Sequence, residues 1–427
     1  MSVTQNEKIR QVTEETIVVG VDIASETHYA RAFDWRGIEL GKVFTFANSE
    51  AGFTSLLEWV GQLQANTQKT QVLVAAEPTG HYWFGLGAWL MDSGVKLVLV
   101  NPYHVKRSKE LDDSHPSKSD RKDPKTIAKL AIEGRYQIPY IPQGVYAELR
   151  IAMLSRWRIL KSLGQTKNQI ARWLKIYFPE YGEVFAQFDG ISSLLVLETA
   201  PLPSMLVELG PDGINAIWRK AKVRAVGLKR AKRLYEAAKA SIGCTAGSAS
   251  ARAELGWLLE DYRAKMRQYD QIMAHVESLC EQVPGVPALL EITGVGLATV
   301  AGFLAEVGDV TRFDSPRQIQ KLAGLAIREN SSGKHRGQTT ISKRGRARLR
   351  AILFRAAIAL AGKNREFQQI HRYYTGRAKN PLKKKQSIVA LSCKLIRVFY
   401  ALLTKGTAYD PEKLLGDIRR NTPLIAA

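Results

Sequence analysis

Four carboxylates and a serine pair are the residues of this sequence best suited to chemistry. Asp22 closes the apolar run in VVGVDIASETHYA, and Glu77 closes that in VLVAAEPTGHYW. Asp120 and Asp123 stand three residues apart in KSDRKDPKTIAKL, where a helical pattern starts. Carboxylate oxygens fixed by strand ends and one helix turn are the donors that Mg²⁺ takes, and metal sites of this kind drive phosphoryl transfer. Lys118, Arg121, Lys122 and Lys125 flank the last two acids and would hold phosphates beside the metal. Taken singly, each acid has a plainer reading as a solvated strand end or a helix cap. Their joint order along a strand–helix pattern favours the metal. Asp112 and Asp113 compete as ligands, while His81 and His115 read as packing or phosphate contacts.

The second constellation is NSSGKHRGQTTISKRGRARLR, from Asn330. Ser331 and Ser332 precede Gly333, and the stretch from Lys334 to Arg350 holds seven Lys or Arg and no acid. A serine hydroxyl attacks a phosphodiester once it loses its proton and cations stabilise the leaving oxygen. Gly333 lets backbone approach nucleic acid closely. A phosphate-binding loop in which serine gives one hydrogen bond is the plainer alternative, and chemistry alone favours it. Lys334, Arg336, Lys343, Arg344, Arg346, Arg348 and Arg350 are the candidate backbone contacts. Upstream, ITGVGLATVAGFL has the pattern of a helix-hairpin-helix. There Gly294 and Gly296 permit a tight turn, and the following helix offers its first amides to a phosphate.

The elements that must position these residues follow from periodicity. TIVVGVDI (Thr16–Ile23), HYARAFDW and KVFTFAN read as three short strands joined by tight turns. A helix over Ala51–Leu63, a strand over Gln71–Ala76, a helix over Tyr82–Asp92 and a strand over Lys96–Val100 come next. This order, three strands and then alternating helices and strands, is that of the RNase H-like fold, an α/β sheet covered on both faces. Tyr146–Phe178 and Ser248–Glu281 read as long amphipathic helices, a coiled-coil arm that dimerises or spaces two domains. Between them, 180–247 reads as irregular, broken by Pro201, Pro203, Gly210, Pro211 and Gly213. It contains Trp218–Arg233, with eight basic residues and no acidic one: an RNA surface or, equally, a solvated helix face. Trp157, Trp173, Tyr177, Trp257 and Tyr262 read as core or arm-packing residues rather than base-stacking platforms. Further helices are expected over Asn364–Tyr374 and Gln386–Leu403 in a mostly α C-terminal domain. The resulting division is a loose leader (1–15), an α/β domain (16–145), a helical arm with a basic insertion (146–284), a C-terminal domain (285–405) and a peripheral tail (406–427).

Composition narrows the partners. The chain has 427 residues, 62 basic against 40 acidic, and a formal charge of +22. An excess of that size points to a polyanion, DNA or RNA. Cys244, Cys280 and Cys393 lie far apart, without zinc spacing or a disulfide framework. No apolar run reaches the roughly 18 residues a spanning helix needs, and the polar N-terminus contains no signal-peptide core. A protein of a reducing compartment with no membrane role is the expectation.

Five stretches, VGVDIA, AAEPTGHYW, KSDRKDPKTIAKL, ITGVGLATVAGFLAEVGDVTRFDSPRQIQKLAGLA and SSGKHRGQTTISKRGRARLR, occur in this order. Together they resemble the DEDD transposases of the insertion-sequence one-ten family, recombinases guided by a bridge RNA. The resemblance covers roughly 16–145 and 285–365. It implies a RuvC-like domain whose DEDD set is Asp22, Glu77, Asp120 and Asp123 on Mg²⁺. It further implies a C-terminal transposase domain whose nucleophile is Ser332, the serine before glycine, with Ser331 adjacent. The implied partners are donor and target DNA, a structured guide RNA and further copies of the chain, as dimers assembling into a tetramer. The implied setting is the prokaryotic cytoplasm, at the nucleoid. The same acids with water as nucleophile would make a nuclease or junction resolvase instead.

Overall fold

A computed structural model describes residues 4–78, 80–112, 123–224, 226–328, 331–332, 335–337 and 339–419. Two compact units divide the chain, residues 1–141 and 142–427.

The N-terminal unit is built on six strands: β1 (Thr16–Asp22), β2 (Thr27–Phe33), β3 (Phe44–Ala47), β4 (Gln71–Ala76), β5 (Lys96–Val100) and β6 (Tyr136–Gln137). Their order across the sheet is β3-β2-β1-β4-β5-β6. β1 runs antiparallel to β2 and parallel to β4, which is parallel to β5. The β-branched run of β1 suits a central strand buried on both faces. Alternation sends Ile17, Val19 and Val21 to one face and Val18 to the other.

Five helices accompany the sheet: α1 (Gln5–Arg10), α2 (Glu50–Thr67), α3 (Trp83–Asp92), α4 (Pro102–Asp112) and α5 (Asp123–Ile132). Phe53, Leu56 and Val60 of α2 and Leu86 and Leu90 of α3 cover the first face. Val105 of α4 and Ile127, Ala128, Leu130 and Ala131 of α5 cover the second. The leader is not loose. Thr4 and Glu7 form a capping box that starts α1, Gln5 Nε2 donates to the Glu133 carbonyl at 2.9 Å, and Lys8 Nζ donates to the Tyr136 carbonyl at 2.6 Å.

In the second unit, α6 (Gly144–Tyr177) runs along what becomes the eleventh helix, at Ser248–Glu281. Between them lie α7 (Tyr181–Val184), α8 (Ile191–Thr199), α9 (Pro203–Lys220) and α10 (Leu228–Lys239), so most of residues 180–247 is helical rather than irregular. The proline signals have another meaning there. Pro203 opens α9 at its first turn, and Gly210, at φ +63°, kinks the helix so that Pro211 can open a second segment. Trp218 and Leu234 are fully buried, together with Tyr181 and Phe178, and make this layer a core of its own. The seven basic residues Arg219, Lys220, Lys222, Arg224, Lys229, Lys232 and Arg233 remain on its exposed side.

The long helices α6 and α11 (Ser248–Glu281) are antiparallel: Trp173 Nε1 donates to the Ala251 carbonyl at 2.8 Å, and Arg156 Nε lies 3.2 Å from Met273 Sδ. Their far ends join the core of α7–α10. Their near ends, through Leu149, Ala152, Val276 and Leu279, enter a C-terminal core. The stretch of α6 between Ala152 and Leu163 buries no residue.

That C-terminal core is formed by α12 (Val286–Leu290), α13 (Leu297–Val307), α14 (Pro316–Leu322), α15 (Ala347–Lys363), α16 (Arg365–Gly376), α17 (Lys384–Lys405) and α18 (Pro411–Arg419). By length and mean hydropathy α17 would pass as a membrane span, although Lys394 and Arg397 interrupt its apolar residues. Its Leu391, Leu395, Ile396 and Phe399 are fully buried in the core instead. The tail is not peripheral either, since Leu414 and Leu415 of α18 join that core.

Candidate active site and nucleic-acid interface

Asp22 is the last residue of β1, and Glu77 directly follows β4. The parallel register pairs Val21 with Ala76, so the two acids stand at the same end of adjacent strands. Pleating assigns them to the same face. Asp22 shares parity with Val18 and Gly20, and Glu77 shares parity with Leu73 and Ala75 of the core under α5. Both acids are partly exposed. Asp123 is the first residue of α5, on this face, and only 8% exposed.

Gly20 makes the approach of α5 possible. A Cβ there would meet the Pro124 carbonyl oxygen at 1.9 Å and the Ala128 nitrogen at 2.9 Å, so the first turn of α5 lies directly on β1. Lys109 of α4 reaches into the same place and pairs with the Asp123 carboxylate. Burial holds the Glu77 carboxyl above the usual range; the Lys109 ammonium opposes the rise and the Asp123 carboxylate adds to it.

Three carboxylates at one end of a sheet offer the hard oxygen donors that Mg²⁺ prefers, so the donor set fits the metal. Among the described residues, no three Asp, Glu, His or Cys side chains stand close enough to hold an ion as they are. Asp120 lies outside the described residues, as do Asp113 and His115. His81 packs against Tyr82, with ring centres 4.3 Å apart.

In the second unit, β7 (Ile327–Arg328) pairs with β10 (Thr340–Ile341), and between them β8 (Ser331–Ser332) pairs with β9 (His335–Arg336). The register puts Ser332 opposite His335 and Ser331 opposite Arg336. Gly333 and Lys334 lie outside the described residues. The basic residues downstream divide. Lys343, Arg344 and Arg348 are exposed. Arg346 pairs with Glu306 at 3.7 Å, and Arg350 Nη1 donates to the carbonyls of Ala323 at 2.9 Å and Lys343 at 3.2 Å. Gly294 has φ +96° in the turn between α12 and α13, and the exposed Gly296 caps α13.

The tryptophans depart from expectation. Trp173 and Tyr262 are buried in the arm, but Trp157 is 46% and Trp257 68% exposed. Sequence reasoning also passed over Gly20 and Lys109. A glycine inside a β-branched strand is a signal of close backbone approach that could have found the first. Nothing in the polar segment around Lys109 marks the second.

Residues 19–179 match the family model of the DEDD transposase of IS110, and residues 286–374 match that of the IS116/IS110/IS902 transposases. The chain is 26% identical over 409 residues to a Coxiella burnetii transposase for insertion sequence element IS1111A, covering 94% of this chain and 93% of that one. It is 24% identical over 406 residues to the pilin gene-inverting protein of Moraxella lacunata, covering 92% and 97%. A probable family 20 transposase of Pseudomonas aeruginosa is 26% identical over 355 residues, covering 79% and 86%. Both family models describe transposases of insertion sequences. The chain belongs to the IS110 family of these enzymes.

Proposed function

We propose that this transposase cuts and exchanges DNA strands through a covalent serine–phosphate link, using Mg²⁺ at its acids and a structured bridge RNA to choose the DNA. The carrying observation is the shared face and shared sheet end of Asp22, Glu77 and Asp123. Three antiparallel strands followed by two parallel ones, in the order β3-β2-β1-β4-β5, support a RuvC-like reading of the N-terminal unit. Relatives named a transposase and a pilin gene-inverting protein are consistent with an enzyme that cuts and rejoins DNA.

Asp22, Glu77, Asp120 and Asp123 would hold Mg²⁺, which supplies Lewis-acid polarisation of the scissile phosphate. Ser332 Oγ attacks phosphorus, the bond to the 3′ oxygen breaks, and that oxygen leaves as a hydroxyl with the proton. Attack of another strand's 3′-hydroxyl on the phosphoserine reverses these events and rejoins the DNA. Lys343 and Arg344 are exposed and suited to backbone phosphates, as are the first amides of α13 after Gly296. The acids of one subunit serve the serine of another in an oligomer, and sequence choice lies with the RNA, whose heteroduplex the protein reads by shape. With water as nucleophile, the same acids would make a nuclease or junction resolvase. Cleavage assays separate the two. Asp22→Ala abolishes cutting in both, whereas Ser332→Ala abolishes it only in the transposase reading, and cutting that survives Ser332→Ala refutes that reading.

A further inference from the structure

Trp157 sits on α6 in the stretch that buries no residue, with 46% of its surface open. Its setting is nevertheless built. One turn earlier, Met153 packs over Gly302 of α13 beside Ile352 of α15; a Cβ at Gly302 would meet Ile352 Cδ1 at 2.9 Å and Met153 Cε at 3.4 Å. The bare glycine brings α6 and α15 together over α13. One turn on from Met153 and one turn back from Ile352, Trp157 meets Arg348, whose guanidinium carbon lies 4.7 Å from the ring centre. Lys161, the next turn of α6, holds its ammonium 5.7 Å from the same ring.

We infer that Trp157, Arg348 and Lys161 form a stacking site for an unpaired base. The exposed part of the indole and the Arg348 guanidinium lying over its ring both offer planar surfaces on which a base stacks, and the two cations suit the phosphates on either side. Bases within a duplex present edges rather than faces, so the occupant is single-stranded. A second copy of this chain would bring Arg348, Lys161 and the exposed Arg158 against like charges, which disfavours self-association there. The inference rests on the nucleic-acid reading above and adds where an unpaired segment is held.

The test uses the full chain and fluorescein-labelled 12-mers of oligo-dT, oligo-U and the matching abasic strand, read by anisotropy over a salt series. Wild type binds the base-bearing strands more tightly than the abasic one. Trp157→Leu, which keeps an apolar side chain, weakens base-bearing strands by about 5- to 150-fold, leaves the abasic strand unchanged and keeps the salt slope. Trp157→Phe retains most of the preference. Arg348→Gln lowers the salt slope by about 0.7. A larger loss on oligo-U assigns the site to RNA, and a larger loss on oligo-dT assigns it to a displaced DNA strand. An unchanged base preference in Trp157→Leu overturns the stacking site while leaving the nucleic-acid reading intact. A shift in oligomer mass without that loss of preference overturns it in favour of a protein contact. Failure of wild type to bind any strand overturns both.

Discussion

The carbonyl oxygen of Pro124 fills the space in which a side chain at Gly20 would begin, 1.9 Å from where its Cβ would stand. This contact seats α5 on β1 two residues before Asp22 and brings Asp123 to the acidic end of the sheet. Backbone cannot yield as a flexible side chain does, so Gly20→Ala must push α5 away. Overpacking of this kind typically costs about 1–3 kcal/mol. Thermal unfolding should show the N-terminal transition lowered, and DNA cleavage should fall by at least ~10-fold although no acid has changed. Unaltered cleavage in Gly20→Ala would mean that this seat does not position the acids.

Lys109 places a tethered cation against Asp123 and beside Glu77, where a divalent ion would compete with it. Replacing it with methionine leaves the carboxylates to repel one another in the absence of metal. Lys109→Met should therefore melt lower than wild type without metal and gain more from added Mg²⁺ or Mn²⁺, by a few degrees in a thermal-shift titration. An equal gain in both proteins would show that the ammonium does not compete for the site.

His28 lies fully buried on β2, edge-on to Phe46 and stacked near Phe53, its Nδ1 accepting from the Ala24 amide at 3.2 Å. Its Nε2 is buried without a hydrogen-bond partner. Burial pushes its pKa below the ordinary value, against a weaker upward pull from Asn48. The unfolded chain therefore takes a proton near pH ~6.5 that the folded chain refuses. The stabilisation is complete above that pH and is lost as pH falls from there towards the lowered folded value. Between pH ~7 and pH ~5 the melting temperature of the N-terminal unit should fall more steeply in wild type than in His28→Gln. Parallel pH profiles would contradict this.

The basic residues around α15 should separate into two kinds of effect. Lys343 and Arg344 are exposed, so neutralising both should reduce the salt slope of duplex binding by about 1.8 and leave the melting temperature nearly unchanged. Arg350 instead satisfies two carbonyls at the turn where Gly324 and Gly345 meet. Arg350→Gln should destabilise by about 1–3 kcal/mol in denaturant unfolding, with little change in salt slope. A slope change for Arg350→Gln would place it on nucleic acid after all.

These residues also mark how far the sequence could be read. The sheet was legible because the β-branched runs of β1 and β4 have one interpretation, and Asp22 and Glu77 fall at their ends. The two 34-residue helices were legible from uninterrupted periodicity. Residues 180–247 were misread because Pro203 and Pro211 signal equally a loop and the first turn of a helix, and only packing around Trp218 decides. The tail was misread because Leu414 and Leu415 need a distant core to be buried. Arg350 and Arg344 are alike in sequence, and only the carbonyls near the first distinguish them. Nothing local to Trp157 reveals that Arg348, far along the chain, lies over its ring.

Whether the acids serve a serine or a water molecule divides a transposase of the proposed kind from a nuclease. Protein purified together with any RNA it retains should be incubated with Mg²⁺ and a DNA substrate, denatured, digested and analysed by mass spectrometry for nucleotide-bearing peptides. Serine chemistry should leave a 5′-phosphate joined to Ser332, absent in Asp22→Ala and Ser332→Ala. DNA cut efficiently with no strand attached to the protein would contradict it.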